Sequence, residues 1–409
     1  MDESVRLRQA TAQDHDAIVD LLNYVFHHDY DDEDRARDLL TFEAERSLVA
    51  DDAGSVVGHT TALTRELTVP GATVAAAHVT GVGVAPTHRR RGLLTALMHR
   101  QLAEIAEAGR EPIAVLWASE TTIYPRFGYG PACAVMSYQA MTRELRLRPE
   151  VPGAGQRLRL VDPKKASAEL AEVFDRVRAD RVGWSSRPGR WWEQRLADPK
   201  DHRGGGTALR GVICDNASGR PAGYALWRTK GRWDEFGPDA EVRVSEVAAD
   251  DPAVYAALWR FLLGIDLART LTYDFGALDE PLQYLLDEPR RLGRKYEEAL
   301  WVRILDLPAA LEARRYLTPV DAVLEVTDPL LGSNTGRWRL TASAADKARC
   351  VRTEEPADIA LSVTDLGALY LGGTSLGALI AAGRARPLTA NLPSAAFGWH
   401  RQPNPIEVF

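Results

Sequence analysis

Apolar and polar positions along this chain fall into short runs with two distinct periods. Val5-Arg6-Leu7-Arg8 alternates with the period of a half-buried strand. After a polar stretch ending at Asp14, whose carboxylate suits a helix N-cap, Ile18, Leu21, Leu22, Val25 and Phe26 share one helical face. Ser47-Leu48-Val49-Ala50, the turn Asp51-Asp52-Ala53-Gly54 and Val56-Val57-Gly58-His59-Thr60 read as a hairpin. Ala76 to Val84 predicts a strand that runs into Pro86 and a basic loop. A helix follows from Gly92, with Leu94, Met98, Leu102 and Ile105 on one stripe and Gly109 at its end. Ile113 to Trp117 is apolar enough for a strand buried on both faces.

Proline and glycine crowd the stretch from Pro149 to Gly155, which marks a domain boundary. Beyond it the plan repeats. Asp215 to Tyr224 echoes Asp51 to His59, Val242 to Val247 echoes the strand ending at Val84, and a helix from Pro252 echoes the one after Gly92. No arginine-glycine loop joins strand to helix in this second copy. A third unit is expected from near Leu300, with a strand at Leu300 to Leu305, a helix from Pro308 to Tyr316 and a strand at Asp358 to Val363. Two short helical segments separated by Gly372-Gly373 come next, and Trp399 to Phe409 is rich in turns. The expected division is 1–148, 149–298 and 299–409, and the fold class is α/β (α+β).

Length and composition agree with this division. A chain of 409 residues exceeds one ordinary core, and 45% hydrophobic with 26% charged residues is the balance of a globular protein. Apolar stretches such as Leu376 to Ala382 fall well short of the ~20 residues of a membrane span. The N-terminus shows no basic-then-apolar leader, so no signal peptide is expected. Cys133, Cys214 and Cys350 are scattered without a CxxC pair, which fits a reducing cytoplasm and neither a disulfide framework nor a zinc site. The nine histidines show no metal spacing, so no metal is expected. A formal charge of −7 argues against nucleic acid as the main partner.

The chemistry concentrates in Val79-Thr80-Gly81-Val82-Gly83-Val84-Ala85-Pro86-Thr87-His88-Arg89-Arg90-Arg91-Gly92-Leu93-Leu94. This is a strand, a tight basic turn and a helix start. A helix start offers unpaired N–H groups and partial positive charge, which suit a pyrophosphate. Gly92 admits close backbone approach and the arginines add charge. The strand before the loop can offer backbone groups to an amide-bearing ligand arm. No GK[ST] follows, so it is not a Walker loop, and it is not GxGxxG. A plain βα turn with solvated arginines is the alternative for an RxxG met alone.

This segment resembles the coenzyme A loop of GNAT acetyltransferases, (Q/R)-x-x-G-x-(G/A), with Leu94 in place of the usual small residue. Two further stretches resemble the Eis (enhanced intracellular survival) branch of that superfamily. One is Ser119-Glu120-Thr121-Thr122-Ile123-Tyr124-Pro125-Arg126-Phe127-Gly128-Tyr129-Gly130-Pro131. The other is Leu300 to Asp306 followed by Ala310 to Arg314. The resemblance implies a catalytic GNAT domain, a second GNAT-like domain without coenzyme, a C-terminal sterol-carrier-like domain and a homohexamer. It implies that Val82, Gly83, Val84, Arg89, Arg90, Arg91, Gly92, Leu93 and Ser119 bind acetyl-CoA. Tyr124 would then be the general acid and the terminal carboxylate of Phe409 the base.

Those roles answer two proton problems. An amine of pKa near 10.4 must lose a proton before it attacks, and a departing thiolate, whose conjugate thiol ordinarily titrates near 8.5, benefits from a donor. Tyr124 follows the strand 113–117, while Tyr129, deeper in the FGYGP turn, is the competitor. By residue type alone Tyr124 can equally pack the turn. A terminal carboxylate acts only if the tail is ordered, and the spacing of Ile406, Val408 and Phe409 favours order. The acidic run from Asp29 to Asp34 reads either as a solvated loop or as the wall of a cationic pocket. Asp29 and Glu407 are the acids assigned to substrate. His78 and His88 flank the loop, and packing or solvent accounts for both. Trp184, Trp191 and Trp192 suit a core or an interface.

The functional expectation is acetyl transfer to a primary amine of a cationic small molecule, aminoglycoside-like, a polyamine or a lysine side chain. The alternatives are a non-catalytic lipid or sterol carrier and an acyltransferase using longer acyl-CoA.

Overall fold

The alternating and apolar runs become strands where they are expected. In the computed structural model, which describes residues 5–153, 155–343 and 347–409, β1 (Val5–Gln9), β2 (Ser47–Asp52), β3 (Ser55–Val69) and β4 (Ala72–Val84) form an antiparallel succession. β4 then pairs in parallel with β5 (Ile113–Trp117), and β6 (Gly130–Pro131) lies at the far edge. Ala154 of the proline- and glycine-rich run, and the start of the N-terminal stretch before Val5, lie outside the described residues.

The chain divides into two compact units, residues 1–133 with 299–400 and 408–409, and residues 134–298 with 401–407. In the first, α1 (His15–Phe26) and α2 (Asp32–Leu39) follow β1, and α3 (Leu93–Ala108) is the crossover from β4 to β5. Asp14 departs from the expected cap. Its carboxylate accepts from Arg8 and from the N–H and hydroxyl of Thr11, so it closes a 3-10 turn ahead of α1. The acidic run is partly helical: Asp31 caps α2 by accepting from the N–H of Asp34 at 2.9 Å, and Asp32, Glu33 and Asp34 fill its first turn, where the helix dipole favours carboxylates.

The second unit repeats the plan with β7 (Ala134–Met141), β8 (Arg157–Val161), β9 (Arg210–Asp215), β10 (Pro221–Lys230), the small hairpin β11 (Trp233–Asp234) and β12 (Gly237–Pro238), β13 (Ala240–Ala249), β14 (Ala268–Gly276) and β15 (Lys295–Glu298). Its helices are α4 (Ser167–Arg178), α5 (Arg190–Leu196), α6 (Pro252–Leu263) and α7 (Leu282–Leu285), with Pro252 in the first turn of α6 and Asp251 as its cap. Trp184 and Trp192 pack on Phe174 in its core.

Adding β16 (Leu300–Ile304), the first sheet reads β1-β2-β3-β4-β5-β16-β6 and the second β8-β9-β10-β13-β14-β7-β15. The two orders correspond position by position. In both, the sixth place is taken by a strand antiparallel to both neighbours and distant in sequence from the first of them. Sheet membership therefore changes between Cys133 and Ala134, ahead of the proline- and glycine-rich run.

The rest of the first unit holds α8 (Leu307–Ala313), β17 (Val320–Thr327), β18 (Gly336–Ala342), β19 (Arg349–Arg352), β20 (Ile359–Ser362), α9 (Val363–Leu369), α10 (Leu376–Ala381) and β21 (Arg386–Pro387). Its sheet order is β19-β18-β17-β20-β21. The helix expected to reach Tyr316 stops at Ala313. Arg314 turns inward instead, donating to the carbonyls of Arg315, Leu369, Tyr370 and Phe397, so a buried cation is satisfied by peptide dipoles.

Glycines of the FGYGP string permit close approaches to this region. A Cβ at Gly130 would lie 1.9 Å from the Thr364 carbonyl of α9, and one at Gly128 would meet the Arg303 guanidinium at 2.7 Å. Arg303 on β16 is itself fully buried and pairs with Asp328 at 2.8 Å, while Asp328 also accepts from Asn334. Removing one partner of such a pair leaves an uncompensated buried charge. Asp328→Ala is expected to lower the unfolding free energy by about 3–5 kcal/mol in urea titrations. Arg339→Ala, at an exposed pair with Asp321, is expected to change it by no more than about 1 kcal/mol.

Candidate functional site

The parallel ladder between β4 and β5 is short. It joins Ala76 to Ile113, Ala77 to Ala114 and His78 to Val115, and then stops, although β4 runs on to Val84 and β5 to Trp117. From Val79 onward β4 keeps β3 on one side and has no ladder partner on the other among the described residues. Backbone N–H and C=O groups on such an edge are strong hydrogen-bonding groups that a strand-like ligand can satisfy.

A bulge at the same place redirects the strand. His59 opposes Gly83 and Thr61 opposes Thr80, so Gly81 and Val82 together face Thr60. Gly81 has φ +58, and a Cβ there would come within 3.0 Å of the His59 ring. Only glycine fits this position without strain. His59 Nδ1 lies 2.7 Å from the Gly81 carbonyl and must donate to it. Burial pushes the His59 pKa down to about 4, so the imidazole is neutral. Sequence reasoning placed His59 in a strand and assigned it nothing.

The bulge also sorts side chains between two faces. Ala77, Val79 and Val82 pack with Met98, Leu102 and Ile105 of α3, and Val84 packs against Leu93 and Leu97. Gly81 and Gly83 instead face Leu22 and Val25 of α1.

After Val84 comes a 3-10 turn, Pro86–His88, in which His88 meets Asp52 at 3.1 Å. Arg90 and Gly92 then take left-handed conformations, φ +63 and +81. α3 starts at Leu93 without a side-chain cap, so N–H groups of its first turn remain for a ligand. Arg89, Arg90, Arg91 and Gly92 are exposed, Leu93 is buried and holds the helix start to the core, and Arg91 reaches the Thr87 carbonyl at 3.2 Å. A Cβ at Gly92 would meet nothing within 4 Å, so the space above the turn is open. Two left-handed residues, uncapped N–H groups and exposed arginines form a fitting cradle for a diphosphate.

Tyr124 opens the 3-10 turn Tyr124–Phe127 beyond β5 and is 5% exposed, in the cluster that includes Ala77, Val79 and, at its margin, Val82. Burial raises its pKa to about 12, so it is a phenol, a proton donor, at neutral pH. The competitor Tyr129 stands edge-on to it at 6.0 Å but is fully buried. Ser119 lies exposed just after β5.

The last residue is ordered in the first unit. The Thr80 hydroxyl donates to the main-chain oxygen of Phe409 at 3.0 Å, and the Phe409 ring packs edge-on against buried His78 at 4.6 Å. Tyr124 and Phe409 are thus both brought to the stretch of β4 where its ladder with β5 ends. Asp29 is exposed at the loop before α2. Glu407 belongs to the second unit, where buried Arg187 holds it at 2.7 Å together with Glu246 at 2.8 Å. That pairing competes with the substrate contact expected of Glu407.

Comparisons with known proteins now bear on this geometry. Residues 6–132 and 183–304 each match an acetyltransferase (GNAT) domain, and 307–404 match a sterol carrier protein domain. An uncharacterized N-acetyltransferase of Streptomyces avermitilis is 43% identical over 347 residues, 85% of this chain and 84% of that protein. The N-acetyltransferase Eis of Mycobacterium bovis BCG is 37% identical over 356 residues, 84% of each chain. The chain belongs to the Eis family of GNAT N-acetyltransferases.

Among solved structures, Eis1 from Mycobacterium abscessus is 30% identical, with a TM-score of 0.83 over 99% of this chain and 100% of that one. This Eis-family chain is therefore a GNAT acetyltransferase, which sets aside the non-catalytic carrier. Among the described residues no helix is long and apolar enough to cross a membrane, and no three His, Cys, Asp or Glu are grouped to hold a metal.

A raised phenol pKa has a consequence for stability. The contribution of Tyr124 is fully present below pH 10 and is lost as pH rises through 10 towards 12, because the unfolded phenol ionises first. Phenolate absorbance compared between wild type and Tyr124→Phe is expected to show no ionisation of Tyr124 below about pH 11. Ionisation near 10 would show a ring open to water.

Proposed function

We propose that this protein is an acetyl-CoA-dependent N-acetyltransferase that moves the acetyl group directly to a primary amine of a cationic small molecule, aminoglycoside-like, a polyamine or a lysine side chain. The observation that carries this reading is that a buried, protonated phenol and the Phe409 main-chain oxygen bound by Thr80 each pack beside β4 near the end of its ladder with β5. Arg89, Arg90, Arg91, Gly92 and Leu93, at the uncapped start of α3, would hold the coenzyme diphosphate. Val82, Gly83 and Val84 would pair with its amide-bearing arm, and Ser119 would line the mouth. Bound there, the coenzyme supplies an activated thioester.

The protein's own groups handle the protons. The Phe409 carboxylate, fixed by Thr80, attracts the ammonium form of the acceptor and takes up its proton through water. Tyr124, kept neutral by burial, donates to the departing sulfur. Asp29 is the acid retained for contact with the cationic acceptor, and Glu407 reaches it only by leaving Arg187. A homohexamer in the cytoplasm, with Cys133, Cys214 and Cys350 as free thiols, completes the proposal. So does a division of labour among residues 1–148, 149–298 and 299–409.

Thiol release from acetyl-CoA across a panel of amines, with mass spectrometry of the product, tests this reading. Tyr124→Phe is expected to lower kcat by about 10²–10⁴-fold. Appending one glycine to the C-terminus, which keeps the Phe409 ring but moves the carboxylate, is expected to do the same. Unchanged turnover in both variants would remove both roles. Release only from longer acyl-CoA would replace the acetyl group in the proposal.

A further inference from the structure

We infer that His59 is a positioning residue for the transfer site: its imidazole clamps the Gly81 carbonyl and so locks the bulge that presents Val82–Val84 at the open edge of β4. This rests on the coenzyme reading above and deepens it.

In an ordinary antiparallel ladder β3 satisfies the backbone of alternate residues of β4. At the bulge two residues of β4 face one of β3, and a ladder bond is lost. The Gly81 carbonyl, with its residue at φ +58, needs another donor, because a buried unpaired carbonyl costs about as much as a lost hydrogen bond. His59 supplies it at 2.7 Å. The strand is then free to bend, and the side chains after the bulge, Val82 and Val84, return to the α3 face.

The neighbour of Gly81 adds a second consequence. Thr80 is the residue whose hydroxyl holds the Phe409 carboxylate, so the same clamp sets where that hydroxyl stands. His59 touches neither substrate nor coenzyme in this scheme; it acts through Gly81 and Thr80.

The ring is suited to the task. It is fully buried, and Nε2 has no hydrogen-bond partner among the described residues. A buried imidazole with Nδ1 committed as donor holds one tautomer. From α1 the neighbours at Gly81 and Gly83 are the aliphatic Leu22 and Val25. From α2 the charged group acting on the ring is Asp38, which hydrogen-bonds His15 at 3.1 Å. Across Thr80 lies the Phe409 carboxylate.

Two measurements on the full chain test the inference. Ring ¹⁵N NMR of the wild type is expected to show His59 as the neutral Nδ1–H tautomer throughout about pH 5.5–8. An Nε2–H tautomer or a titration near the ordinary histidine value would overturn it. Calorimetry with coenzyme A is expected to give binding about tenfold weaker for His59→Leu, the worth of one hydrogen bond. His59→Asn, whose Nδ2 donor occupies the place of Nδ1, is expected to bind within about threefold of wild type.

Wild-type binding with His59→Leu unaltered, or with thermal stability alone reduced, would overturn the positioning role and leave the coenzyme reading standing. Failure of the wild type to bind coenzyme A would overturn both. Should His59→Leu not fold, weak binding by folded His59→Asn would still refute the clamp.

Discussion

The site depends on a ladder that stops. β4 and β5 pair through three residues and then part, and Tyr124 and Phe409 both pack against β4 beside that parting. An interrupted ladder is costly in a buried sheet, since backbone groups left without partners must be satisfied by something else. Just beyond the interruption, the β3–β4 pairing carries a bulge with a left-handed glycine whose carbonyl meets the His59 ring. In the proposed site, that unpaired edge is where the amide-bearing coenzyme arm would lie in line with a strand.

Protonation around that edge follows from burial. Tyr124 is held as a phenol by the apolar cluster behind it, and His59 is held neutral by the same kind of environment. The main-chain oxygen of Phe409 instead receives a hydrogen bond from the Thr80 hydroxyl. Main-chain ends are usually frayed, so the order at Phe409 needs specific contacts, and His78 and Thr80 provide them.

The string that most marks the family, Ile123 to Pro131, serves packing as much as chemistry. Tyr124 and Phe127 enter the core of the first sheet, Gly128 lies on the Arg303 guanidinium, and Gly130 lets α9 cross at backbone distance. Any side chain at Gly130 would collide with a carbonyl. The string and the strand from Leu300 therefore belong to one structural solution, with β16 paired to β5 on one side and β6 on the other.

The sequence by itself determined the elements and their repetition. Alternation, apolar runs, glycine turns and the basic strand-loop-helix segment are local signals set by backbone sterics and periodicity, so the hairpin at Ser47–Thr60, the α3 start and the tandem plan were all legible. Tertiary structure decided what no local signal carries. It put β16, read as the first strand of the third unit, in the first sheet, and formed β7 in the second from a stretch that gave no strand signal, because strand pairing is long-range. It gave Glu407 to Arg187, 220 residues away, and His59 to Gly81, because ion pairs and carbonyl clamps depend on which chains meet in space. The chemistry was written in residue types; the geometry that poises it came only from where the sheet opens.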